Sequence, residues 1–135
     1  MPETTPGVNI QWPWSQLIVS GKKTVETRSY KLPSKYVGRK LAIIETPGPR
    51  GKAEAGFSKA RIVGTVVFSG SFRYSTRDSW MKDFSRHCVE VGDHLFAFDE
   101  SQEKWGWVIS EFEGFVESKP APVKRGIVFA TCCEI

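Results

Sequence analysis

Short runs of β-forming residues, each cut off by glycine or proline before it grows long, set the limits on what this chain can build. Ala60–Tyr74 contains Ile-Val-Gly-Thr-Val-Val-Phe, a strand whose interior glycine predicts a bulge. Arg39–Thr46 reads as a buried strand around Leu41-Ala-Ile-Ile44, and Val8–Gln11, Thr24–Tyr30, His94–Phe98, Trp105–Glu113 and Gly126–Glu134 as further short strands. Helical spacing occurs twice. After Pro13, Trp14, Leu17 and Ile18 share a face until Gly21 stops the helix, and Asp78–Val89 aligns Trp80, Met81, Phe84 and Cys88. Lys31–Gly38 is a loop around Pro33, and Pro47–Gly56, with three glycines and two prolines, is expected to be a mobile loop. Many short strands with two or three short helices predict an α+β fold, a small mixed β-barrel.

A chain of 135 residues folds to roughly 7,000 Å² of surface from roughly 22,000 Å² extended, which suffices for one core and not for two domains. The expected organisation is a flexible leader over residues 1–7, polar and rich in proline, followed by a single domain over residues 8–135. No apolar stretch approaches a membrane span, and no basic segment followed by an apolar one opens the chain as a secretion signal would. The three cysteines include the adjacent pair Cys132 and Cys133, which does not suit a disulfide framework and agrees with a reducing cytoplasm. A cytoplasmic monomer without membrane contact is expected.

Charge is unevenly spread. Ser20–Arg61 carries eleven Lys/Arg against Glu26, Glu45 and Glu54, a net of +8, and the remainder holds eight basic and twelve acidic residues, a net of −4. With 17 aromatic residues, such a basic half is the footprint of a protein that meets phosphates. Within it stands Gly21-Lys22-Lys23-Thr24-Val25-Glu26-Thr27-Arg28, the pattern G-x-K-x-x-E-x-R. Glu26 and Arg28, two apart on a strand, point to one face, whereas Lys23 lies at a junction where strand parity does not fix its direction. A carboxylate between two cations can accept from a base N–H, while the cations meet phosphate or a developing oxyanion.

Trp12 or Trp14 is the expected stacking platform for a base, with Trp107 second. Arg28, Lys22 and Lys23 would contact phosphate, and Tyr30 and Tyr36 would donate or stack. If the site is an enzyme's, Lys23 and Glu26 are its catalytic residues, although a Glu26 pinned by Arg28 is a poor base at neutral pH. His87 and His94 lack metal spacing and read as surface or capping residues. The cysteines lack a C-x-x-C pair, so neither zinc nor any other metal is expected. Gly48-Pro-Arg-Gly51 lacks the ending of a phosphate-binding loop, Ser69 and Ser71 read as turn residues, and no cofactor is implied.

Gln11-Trp-Pro-Trp14 entering a short helix, the G-x-K-x-x-E-x-R segment, Tyr36-Val-Gly38, Trp105-Gly-Trp-Val108 and Pro122-Val-Lys-Arg-Gly126, in that order, resemble the ASCH family of the PUA-like fold over roughly Val8 to Glu134. The resemblance implies a β-barrel flanked by helices, with a cleft near Gly21–Arg28, and RNA-related work. Some members are nucleic-acid-binding modules, some are ribonucleases, and small bacterial relatives are amidohydrolases of N4-acetylcytidine. The amidohydrolases use a Lys and a Thr in K-x-x-T with a distant Glu. Lys23 matches that Lys, but Glu26 occupies the Thr position. The ribonucleases rely on a Lys with Tyr and Ser residues, of which Lys23 alone carries over by motif. The leading expectation is RNA or modified-nucleoside binding in a basic, aromatic-rimmed cleft. The alternatives are a metal-independent hydrolase in the same cleft and a protein-interaction module of transcription-coactivator type, which would show an exposed apolar patch.

Overall fold

Leu41-Ala-Ile-Ile44 has no polar face, and the strand it forms is buried on both sides. Leu41 and Ile43 enter the main core with Val8, Ile10, Ile18, Phe68, Trp80 and Trp107, while Ala42 and Ile44 pack with Ile62, Ala130 and Cys133 in a smaller second core. A computed structural model describes residues 3–93, 95–123 and 126–135. In chain order it contains β1 (Thr4–Gln11), α1 (Trp14–Val19), β2 (Val25–Arg28), a 3-10 turn (Ser34–Tyr36), β3 (Lys40–Thr46), the single turn α2 (Gly48–Arg50) continued helically over Gly51–Ala55, β4 (Arg61–Tyr74), α3 (Arg77–Lys82), α4 (Phe84–His87), β5 (Lys104–Pro120) and β6 (Phe129–Glu134).

The strands form one mixed sheet in the order β2-β5-β4-β3-β1-β6, in which β1 and β3 are parallel and the other described pairs antiparallel. The expected barrel is therefore corrected to an open six-stranded sheet in an α+β fold. The sheet nevertheless curls: Trp107 of β5 stacks parallel to Phe129 of β6, 6.1 Å between ring centroids, although these strands lie near opposite ends of the sheet. The edge strands β2 and β6 share no described ladder, so the sheet stays open; β2, only four residues long, reaches the interior strand β1 through a side chain, Arg28 Nη2 donating to the Asn9 carbonyl at 2.7 Å.

Several boundaries differ from the sequence reading. β1 starts at Thr4 and pairs Thr4 with Glu134, so Thr4–Gly7 of the expected leader is strand; Pro6 and Gly7 are buried. Asp78–Val89 is not one helix. Thr76 caps α3 by accepting from the Ser79 amide at 3.0 Å, the chain breaks at Asp83, and α4 ends at Cys88 with φ of 62°. Of the face expected there, Trp80 is buried but Met81 and Phe84 are exposed. The strand expected over His94–Phe98 is a turn in its described part, because the Asp93 carboxylate accepts from the amides of Leu95 and Phe96 at 3.0 and 2.9 Å. Within Pro47–Gly56 the chain is helical over Gly48–Ala55, with the Gly51 amide donating to the Pro47 carbonyl. β5 runs to Pro120, well past Glu113, and β6 begins at Phe129. Met1 and Pro2 of the leader, His94, and Lys124 and Arg125 of the Pro122–Gly126 segment lie outside the described residues.

The bulge does fall where glycine predicts it: pairing of β4 with both β3 and β5 shifts between Ile62 and Gly64. A Cβ on Gly64 would sit 2.1 Å from the Glu113 carbonyl oxygen, so only glycine permits this approach of β4 to β5. Gly64→Ala is expected to lower stability by about 1–3 kcal/mol in urea denaturation. A midpoint equal to that of the unaltered protein would contradict the register.

Candidate functional site

A polar cluster forms where α1 hands the chain to β2. α1 ends with Gly21 in the left-handed region (φ 81°), which turns the backbone back so that the Lys23 amide donates to the Leu17 carbonyl at 3.0 Å. Thr24 then ties to two further elements, its amide donating to the Arg86 carbonyl and its carbonyl accepting from the Ile109 amide. The Lys23 side chain is thereby driven inward and is almost fully buried. Its ammonium donates to the His87 carbonyl and lies 3.6 Å from Glu26 Oε1.

Glu26, at 5% exposure, is held on every side. Oε1 faces Lys23 and accepts from the Thr27 amide at 3.3 Å, and Oε2 accepts from Arg28 Nη2 at 2.9 Å. Burial alone would raise the Glu26 carboxyl, but the charges of Arg28 and Lys23 and the hydrogen bonds they accompany outweigh it and hold the group below the ordinary carboxylate value. Burial draws the Lys23 amine below the ordinary lysine value, with Glu26 opposing. The Arg28 guanidinium lies 5.3 Å from the Trp107 ring centroid, and among the described residues no group accepts from its Nη1 or Nε.

This cluster floors a cleft of about 750 Å³, within the usual range for small-ligand sites. Asn9, Gln11, Thr46, Gln102 and Lys104 add polar groups to its walls, and Trp14, Tyr30, Phe96 and the exposed Leu95, Val123 and Ile127 add apolar surface. Among the described residues its charged lining is Lys23, Arg28 and Lys104 against Glu26, a positive balance. Lys104 donates to the Phe96 carbonyl at 2.9 Å, and burial lowers its amine below the ordinary value.

Of the site residues expected from sequence, Lys23, Glu26, Arg28, Trp14 and Tyr30 line the cleft. Trp14 is largely buried against Phe96, and Tyr30, 38% exposed, presents the accessible ring. Trp12, Lys22, Tyr36 and Trp107 do not line it. Trp12 stands beside Arg50, Lys22 is exposed elsewhere, Tyr36 stacks in the core on Phe129, and Trp107 is fully buried behind Arg28 with its N–H on the Tyr30 carbonyl. His87 is not a surface residue. It is fully buried, stacks on Trp80, donates from Nε2 to the Trp80 carbonyl and accepts the Val89 amide at Nδ1, and burial keeps it neutral by lowering its pKa. Asn9, Gln102 and Lys104 carry no motif; β1 and the β5 start bring them to the cleft only through pairing. Among the described residues, no group of three or more His, Cys, Asp or Glu is placed to hold a metal, and no helix is long and apolar enough to cross a membrane.

Comparison with known proteins agrees with this geometry at the level of fold. The sequence profile of the ASCH domain matches residues 8–117. No curated protein matches the chain closely enough to count as a relative. Among solved structures, a serine-to-alanine variant of the ASCH protein of Zymomonas mobilis superposes with a TM-score of 0.68 at 13% identity, covering 97% of this chain and 90% of that one. The ASCH protein from the same organism gives 0.60 at 15% identity over 82% and 69%, and its tyrosine-to-phenylalanine variant 0.63 at 14% over 86% and 75%.

Removing the Glu26 charge leaves the buried Lys23 and the half-buried Arg28 without their carboxylate. Glu26→Gln is expected to destabilise the protein by about 3–5 kcal/mol at neutral pH, and the double variant Lys23→Met, Glu26→Gln to recover part of that loss. Because the folded Glu26 pKa lies below the ordinary carboxyl value, its contribution is complete above that value and disappears as pH falls through the folded one. The gap between unaltered protein and Glu26→Gln should therefore close below about pH 4, as read by urea denaturation across pH. A gap independent of pH would contradict the assignment.

Proposed function

The chain belongs to the ASCH domain family, and from that premise we propose that its basic cleft binds single-stranded RNA by taking in one unpaired nucleobase. The observation that carries the proposal is the convergence of Lys23, Glu26, Arg28 and Lys104 on one cleft beside the accessible ring of Tyr30. A base inserted there stacks on Tyr30, worth about 1–3 kcal/mol. The free edge of the Arg28 guanidinium and the Lys104 ammonium meet the phosphate, and Glu26, which stays ionised, fixes the direction of Arg28.

Binding is favoured over hydrolysis by the state of Glu26. Both its oxygens are engaged, and its pKa is lowered, so it is a weak proton acceptor for a ribose hydroxyl. It also stands where K-x-x-T amidohydrolases carry their threonine, so N4-acetylcytidine is expected to persist unhydrolysed with this protein. The protein-interaction alternative has its own footing in the exposed Met81, Phe84 and Val91, which rim a second cavity of about 210 Å³ over Trp80 and His87. That cavity is less than a third as large and contains none of the G-x-K-x-x-E-x-R residues.

Anisotropy titrations with a labelled single-stranded RNA are expected to show binding that weakens as salt rises, since phosphates meeting Lys and Arg release counterions. Tyr30→Ala should weaken binding by about 5- to 150-fold, the stacking energy expressed as a ratio. Arg28→Ala should reduce both affinity and salt dependence. Absence of binding at low salt, or unchanged affinity in Tyr30→Ala and Arg28→Ala alike, would refute the proposal.

A further inference from the structure

The cations of the basic loop that leaves the cleft wall beyond Tyr30 have no function in the single-base site. Residues 27–44 contain Arg28, Lys31, Lys35, Arg39 and Lys40 and no carboxylate. The loop starts at Ser29 and Tyr30, which line the cleft, and ends at Lys40, where β3 begins. Two hydrogen bonds lay it along β4: the Leu32 amide donates to Ser71 Oγ at 3.2 Å and the Gly38 amide to the Phe68 carbonyl at 2.8 Å. Leu32 and Tyr36 are buried beneath it, so the loop is fastened down while Lys31, Lys35, Arg39 and Lys40 stand exposed. Elsewhere the surface cations Arg50, Arg77, Lys82 and Arg86 each face a carboxylate, and the other unpaired exposed cations, Lys22, Lys52, Lys59, Arg73 and Lys119, are dispersed along the chain, whereas the loop gathers four within ten residues. Among the described residues none of the four loop cations faces a carboxylate.

We infer that this loop is a phosphate track continuous with the cleft: the ligand is a strand of several nucleotides, with one base held at Tyr30 and its flanking backbone running over Lys31, Lys35 and Arg39. The inference rests on the proposed RNA binding and adds the extent and path of the ligand. A row of uncompensated cations on an anchored loop suits a polyanion, because no counter-carboxylate must be displaced and little chain entropy is lost on contact. Continuity with a cleft large enough to admit a base distinguishes a single strand from a duplex, whose bases are unavailable for insertion.

The test compares a nucleoside monophosphate with a single-stranded RNA octamer, using the unaltered protein and the triple variant Lys31→Ala, Lys35→Ala, Arg39→Ala. All three side chains are exposed, and neither loop anchor, Leu32 amide to Ser71 Oγ or Gly38 amide to the Phe68 carbonyl, involves them. The octamer is expected to bind the unaltered protein at least tenfold more tightly than the monophosphate in low salt. The triple variant should lose that advantage, and the slope of log K against log salt should fall by about 2, since each single-strand phosphate contributes about 0.7. Its monophosphate affinity should be unchanged. Equal octamer affinity and slope in both proteins would overturn the track while leaving the cleft reading intact, whereas failure of both ligands on the unaltered protein would overturn both. Cosedimentation with phosphatidylserine vesicles that the triple variant loses, with octamer binding unaffected, would reassign the loop to a membrane surface and likewise overturn the inference.

Discussion

The Glu26 carboxylate between Lys23 and Arg28 is the contact on which the shape of this protein depends. Each cation extends the pair to a backbone carbonyl on another element, Lys23 to His87 at the end of α4 and Arg28 to Asn9 on β1. Three charges and two carbonyls thus join β2, α4 and β1 in a side-chain seam that ties the β2 edge of the open sheet back to β1. Such a junction is costly in isolation, because charges removed from water lose several kcal/mol of hydration each. Here the hydrogen bonds satisfy the carboxylate on both oxygens, and breaking any one link leaves a buried charge exposed to the full penalty.

A seam made of side chains has a consequence that a backbone ladder would not. It leaves a polar floor open to solvent on one side, with walls from β1, β2, the β5 start and the Val123 and Ile127 lip. The same groups that hold the curled sheet together therefore present a fixed charge pattern to a ligand. Arg28 shows the double use most clearly: one terminal nitrogen is committed to Glu26 and Asn9, its face lies against Trp107, and its remaining donors are left for a phosphate or base. Stability and binding are coupled at these residues, so substitutions at Lys23 and Glu26 report on folding first, and Tyr30 and Arg28 are better probes of recognition.

Much of this was legible in the sequence, for local reasons. Strand parity placed Glu26 and Arg28 on one face, the glycine within Ile62–Phe68 marked the bulge, and Gly21 marked the end of α1. The signals that failed were those decided by tertiary packing. Periodicity over Asp78–Val89 could not show that the chain turns at Asp83, whose carboxylate is taken by Arg86 and Tyr74. Tryptophan content suggested stacking platforms, but Trp107 is consumed by the core between Phe68 and Phe129, and the accessible ring belongs to Tyr30. Nor does any local pattern reveal Asn9 or Lys104, which reach the cleft through pairings of residues far apart in the chain. The open seam was likewise invisible, because strand count alone does not say whether the last pair forms.

Backbone amide NMR during titration of a short single-stranded RNA shows whether the side-chain seam is itself the binding site. The largest shift changes are expected on Thr27, Arg28, Ser29, Tyr30 and Gln102, with the Tyr30 ring resonances moving as a stacked base would move them. Changes concentrated instead at Met81, Phe84 and Val91, with the Thr27–Tyr30 signals unmoved at saturation, would contradict binding at the seam.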